Sequence, residues 1–188
     1  MPERDDARAL RPPRRSASPR SRVGTGWYLD RCTWPVEQPA ITLLDLNANS
    51  LSLAERRLAR YAPQTVRANV LDPPPLGDAR FESAAANYLL HCLPGQIESK
   101  AATLAGNVRP YLEPGGVLFG STILGRGVAH TRIGRRLMRV YNRKGIFSNA
   151  EDDERGLERG LASELEGVEI EVVGAVALFA ARALRANE

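Results

Sequence analysis

One stretch of this 188-residue chain carries residues whose types and spacing suit nucleotide chemistry. It begins at Val23-Gly24-Thr25-Gly26, continues through an amphipathic segment over 27–32, and closes on the apolar run Ile41-Thr42-Leu43-Leu44 followed by Asp45. Glycines let the backbone lie close to a ligand. The start of a helix offers unpaired N–H groups to an anion or a polar edge. A carboxylate about 20 residues further on accepts both hydroxyls of a ribose. Taken singly, each piece has a plainer reading: a glycine turn is often only a turn, and an Asp at a strand end is often a helix cap. Their joint order carries the functional reading. A dinucleotide fingerprint needs Gly or Ala three residues after the second glycine, for close packing of helix on strand. Leu29 stands there, which weighs against an NAD-dependent oxidoreductase.

The elements that must position these residues alternate between strand and helix. Continuous apolar runs such as 41–45 suit a parallel sheet covered on both faces. Asn49 or Ser50 caps a helix marked by Leu51, Ala54, Leu58 and Tyr61 at helical spacing. Strands are expected over 65–70, 81–87 and 117–123, and a final pair over 168–174 and 175–181. Helices are expected over 96–112, 128–144 and 152–165, the second of them amphipathic and basic. The class is α/β, with a mainly parallel sheet.

Composition narrows the field. Hydrophobic content of 43% and charged content of 26% are those of an ordinary globular domain. No apolar run reaches the roughly 18 residues of a membrane span. Cys32 and Cys92 form no disulfide framework or metal pattern, so the expected setting is reduced and cytoplasmic, with no metal. The net charge of +4 resides in residues 1–22, where seven Arg face Glu3, Asp5 and Asp6. The rest is balanced, which disfavours a nucleic-acid partner. Pro-rich and poor in large apolar residues, 1–22 is expected to be a disordered basic tail, with the folded domain over 23–188.

Five pieces in order resemble the class I S-adenosylmethionine-dependent methyltransferases: Gly24-Thr25-Gly26, Leu44-Asp45-Leu46-Asn47, Asn69-Val70-Leu71, Asn87-Tyr88-Leu89-Leu90-His91, and Leu112-Glu113-Pro114-Gly115-Gly116 before a strand. The stretch 140–149 is similar to a subgroup of bacterial and fungal small-molecule methyltransferases. The resemblance implies a Rossmann-like sheet with a C-terminal antiparallel hairpin, S-adenosyl-L-methionine as cofactor, and a small-molecule methyl acceptor as partner, with no membrane. It implies that Gly24 and Gly26 lie against the methionine part of the cofactor. Asp45, beside Leu46, takes the ribose hydroxyls by charge-assisted hydrogen bonds. Asn69 and Val70 read the adenine, and Asn87 and Tyr88 line the reacting end. His91, Tyr141 and Phe147 are expected at the acceptor, with Asn142 and Asn149 as polar handles. Methyl transfer needs alignment and desolvation more than side-chain chemistry. No catalytic residue is therefore assigned, His91 and Tyr141 being the candidates.

The chain departs from the family before Val23. Members carry an apolar strand ending in an acid, then a further glycine; here Arg20 stands at the acid and Arg22 at the glycine. Pro19 and the arginines are costly in a central strand covered on both faces. The first strand is thus expected to be altered or missing, and cofactor binding impaired. The alternative reading is a non-catalytic remnant or binding module that keeps the fold.

Overall fold

Leu43 and Leu44 are both buried although successive strand residues face opposite sides. The sheet that contains them must therefore be covered twice, and the architecture follows from this. The computed structural model describes residues 17–21 and 26–184. Among these residues seven strands, β1 (Ala17–Ser21), β2 (Ala40–Asp45), β3 (Gln64–Arg67), β4 (Phe81–Asn87), β5 (Leu112–Ile123), β6 (Glu166–Val173) and β7 (Val176–Arg182), form one sheet in the order β3-β2-β1-β4-β5-β7-β6. The first five run parallel, while β7 lies antiparallel to both β5 and β6. Among the described residues five α-helices accompany them: α1 (Trp27–Arg31), α2 (Ala48–Arg57), α3 (Ile97–Val108), α4 (Arg132–Arg143) and α5 (Glu154–Ala162).

On one side Ile41 and Leu43 pack with Leu29 of α1 and Leu51 and Ala54 of α2. On the other, Leu44, Leu118 and Phe179 pack with Leu104 of α3 and Leu157 and Leu161 of α5. Truncating a fully buried leucine such as Leu104 costs about 2–5 kcal/mol. α5 approaches α3 through two glycines one turn apart: a Cβ on Gly160 would meet the Glu98 carbonyl at 2.4 Å, and one on Gly156 the Ile97 side chain at 2.6 Å.

The first strand is altered rather than missing, and it lies within the stretch expected to be a tail. Its backbone lies in the centre of the sheet, with Arg20 in register with Leu43 of β2 and Ala85 of β4. Residues 17–21 of the expected tail thus belong to the sheet, while residues 1–16 lie outside the described residues. The physical reason is nonlocal. Without a strand between them, β2 and β4 would each leave a row of buried N–H and C=O groups unpaired.

Other differences lie at element ends. Asn47, not Asn49 or Ser50, caps α2 by accepting from the Asn49 N–H. β3 stops at Arg67, so Asn69 and Val70 lie beyond it. α3 gives way at Val108 to a tight turn containing Pro110. Thr131 and Asp153 cap α4 and α5, which shortens both. Among the described residues no helix is long and apolar enough to cross a membrane.

Candidate active site

The strand order reverses at β1: β2 and β3 lie on one side of it and β4 on the other. A crevice opens beyond the C-terminal strand ends at such a point. Here it is a cleft of about 480 Å³ lined by Asp45, Leu46, Asn69, Val70 and, across from them, Leu89 and the segment 92–94. That size falls within the range of small-ligand sites.

Asp45 ends β2 with its side chain largely buried, and its Oδ1 accepts from the Asn47 N–H at 2.9 Å. Asn69 shapes the turn after β3: its Oδ1 accepts from the Leu71 N–H at 3.2 Å and its Nδ2 donates to Asp72 at 3.1 Å. Asn107 of α3 donates to the Val70 carbonyl at 3.1 Å, fixing that wall from behind. Gly26 caps α1 at φ 70°, a left-handed conformation, and its α-carbon lies close against α2, where a Cβ would sit 3.2 Å from Ala54. Gly24 lies outside the described residues.

A second group forms beyond β4. Tyr88 holds φ 51°, a strained value for a bulky residue, with its N–H donating to the Ser121 carbonyl at 2.7 Å. Asn87 accepts from the Ser121 hydroxyl at 3.3 Å. The buried His91 ring lies edge-on between Tyr88, at 6.1 Å between centroids, and Phe147, at 4.6 Å; Tyr141 completes the cluster at 5.0 Å from Phe147. The structure therefore unites Asp45, Leu46, Asn69 and Val70 in one cleft. It gathers Tyr88, His91, Tyr141 and Phe147 in a neighbouring aromatic cluster.

Asn142 and Asn149 correct an expectation. They do not stand open as polar handles but bond to each other, Asn142 Nδ2 to Asn149 Oδ1 at 3.0 Å and Asn149 N to Asn142 Oδ1 at 3.1 Å. Asn149 Nδ2 also donates to the Ile123 carbonyl at 2.8 Å, so the excursion 124–149 leaves β5 and is pinned back to its end. A buried amide needs these partners, which removes it from ligand binding.

Sequence reasoning missed the device beneath this excursion. Lys100, fully buried on α3, places Nζ 2.7 Å from Asp152 Oδ2 and donates to the carbonyls of Ser148 at 2.6 Å and Leu93 at 3.3 Å. Burial pushes the Asp152 carboxyl up to about 6, against the lowering pull of Lys100. One ammonium thus joins the cleft wall, the loop carrying Phe147 and the start of α5. A signal existed, because Lys100 shares the apolar face with Ile97, Ala101 and Leu104 at helical spacing.

The comparisons with known proteins agree with this geometry. No family model matches the sequence. Over 159 residues the chain is 43% identical to demethylluteothin O-methyltransferase of Streptomyces thioluteus, covering 85% of this chain and 69% of that protein. It is 38% identical to an O-methyltransferase of Aspergillus niger, covering 88% and 89%. The CurJ carbon methyltransferase structure superimposes with a TM-score of 0.68 at 18% identity, over 93% of this chain and 50% of that one. A parallel sheet with a reversed hairpin, a carboxylate at the end of β2 and these relatives define one class. The chain belongs to the small-molecule group of the class I S-adenosylmethionine-dependent methyltransferases.

Proposed function

We propose that this chain transfers a methyl group from S-adenosylmethionine to an oxygen of a small cytoplasmic molecule. The observation that carries the reading is the buried Asp45 carboxylate on the cleft wall, with Asn69 and Val70 beside it. Those residues fit the group: a carboxylate for vicinal hydroxyls, a polar turn and an apolar wall for a purine. Asp45 and Leu46 hold the ribose, Asn69 and Val70 the adenine, and Gly24 and Gly26 the methionine portion. When bound, the cofactor supplies a methyl group on a positively charged sulfur.

This chain's own residues then orient the acceptor and exclude water. Tyr88, His91, Tyr141 and Phe147 form an aromatic wall, and Asn87 with Ser121 fixes the end of β4 beneath it. His91, packed edge-on against Phe147, serves as wall rather than as a proton acceptor. The choice of oxygen follows the O-methyltransferases among the relatives.

A second reading, a fold retained with weak turnover, is favoured by Arg20 and Arg22. The central backbone of β1 is in place, and the departures are of charge: Arg20 stands where the resemblance implies an acid and Arg22 where it implies a glycine, and two added cations disfavour a positively charged ligand. Calorimetric titration with S-adenosylhomocysteine tests the site. Asp45→Ala is expected to weaken binding about ten- to a hundredfold, the loss of a buried hydrogen bond to a charged group. Unchanged affinity removes Asp45 from the site.

A further inference from the structure

The excursion 124–149 concentrates charge that the chain-wide balance conceals. Between residues 124 and 150 there are seven Lys and Arg and no Asp or Glu. Five of these cations, Arg132, Arg135, Arg136, Arg139 and Arg143, sit on α4, and among the described residues no carboxylate pairs with them. α4 buries none of its residues. Ile133, Leu137 and Val140 recur at spacings of four and three, so they form one stripe, and they are 74%, 47% and 37% exposed. Ile146, just past the helix, is exposed too.

A helix with a strong apolar stripe, a dense basic face and low overall hydrophobicity is the pattern of one that lies in the plane of a membrane interface. Charge selects among the possible occupants. The chain's own segment 1–16 is itself Arg-rich, with Leu10 and Met1 as its sizeable apolar residues, so it repels α4 and cannot fill the stripe. A second copy meeting this face about a two-fold axis would set one cationic segment against its twin. An anionic surface with an apolar interior satisfies both faces.

We propose that α4 is a peripheral docking element for anionic lipid membranes. The stripe of Ile133, Leu137 and Val140 enters the acyl boundary while the arginines meet lipid phosphates. The expectation of no membrane partner rested on the lack of a spanning segment, and surface docking needs none. Because 124–149 starts and ends at the β5 terminus beside the aromatic cluster, docking sets the acceptor wall near the lipid. That suits acceptors that partition into it. The anionic cytoplasmic leaflet supplies the surface.

Sedimentation of the intact chain with vesicles tests this independently of methyl transfer. One set is phosphatidylcholine alone; the other is two-thirds phosphatidylcholine and one-third phosphatidylglycerol. The chain is expected to bind the second set, weaken with added salt, and ignore the first. The pair Arg136→Gln and Arg143→Gln should weaken partition about thirtyfold, near fivefold for each cation. Ile133→Asn with Leu137→Asn should abolish binding at unchanged circular dichroism and thermal midpoint, since both side chains are exposed. No binding to anionic vesicles, equal binding to neutral ones, or variants that bind like the parent overturn the proposal. So does a concentration-dependent dimer that the asparagine variants dissolve while vesicles stay bare. Capture of an acidic protein without lipid binding would overturn it as well.

Discussion

In the cleft at the end of β2, Asp45 and Asn69 each use one oxygen to accept from a backbone N–H two residues ahead, and both still line open space. In the excursion 124–149, Asn142 and Asn149 turn inward on each other and on the end of β5, and Lys100 with Asp152 bonds the loop from below. Local turns suffice in the cleft because the strands already fix its walls. The excursion has no strand within it, so its polar side chains replace that support. Polar residues near a site are available to ligand only where the backbone is held by something else.

The sharpest way to break this contrast is Lys100→Met. Removing one partner of a buried pair costs about 3–5 kcal/mol, because the other charge is left without compensation. Urea unfolding at two pH values checks it. The Asp152 carboxyl, held at about 6 when folded, lies above its ordinary value near 3.8. Its proton-linked stability is fully present below that ordinary value and is lost as pH rises through 6. Without Lys100 the carboxyl rises further and the loss extends upward in pH. The defect should be larger at pH 8 than at pH 5, and an equal defect at both would refute the ion pair's role.

Asn149→Ala comes next, at about 1–3 kcal/mol for the buried groups it strands. Combined with Asn142→Ala the losses should fall short of additive in chemical denaturation, as for residues in direct contact. Strict additivity would dissolve the pairing. The smallest effect on stability is expected from Phe147→Ala, which belongs to the half-buried aromatic wall. Acceptor KM should rise while S-adenosylhomocysteine affinity stays unchanged; the reverse would move Phe147 from the acceptor wall to the cofactor cleft.

These contrasts follow what a linear sequence reveals. The places of Asp45 and Asn69 at strand ends were largely legible: Asp45 closes the apolar run 41–45, while Asn69 was expected inside the strand 65–70 and lies two residues beyond β3. The alternation of strand and helix followed from the same local signals, and the closing antiparallel hairpin from the family resemblance; the sheet order was not legible. The first strand was not legible. Pro19 and Arg20 argue against a central strand, and only the gap between β2 and β4 demands one. The amides at 142 and 149 have ligand-binding types, and their pairing depends on where the excursion returns. Lys100 was marked by its apolar helix face, but nothing local names Asp152 as its partner. The basic, amphipathic character of α4 was legible, but not that the helix would bury none of its residues.

The central claim is that the cleft holds S-adenosylmethionine with its ribose end built and its methionine end weakened by charge. Its most direct test is to measure S-adenosylmethionine and S-adenosylhomocysteine affinities side by side, because the two differ at sulfur by one positive charge. The comparison is between the chain as it stands and the variant with Arg20→Glu and Arg22→Gly. The account predicts that the variant binds both ligands more tightly and gains more for S-adenosylmethionine, since it removes two cations and adds a carboxylate, which favours the more positive ligand. An unchanged ratio between the two ligands, or a parent chain that already prefers S-adenosylmethionine, would contradict it.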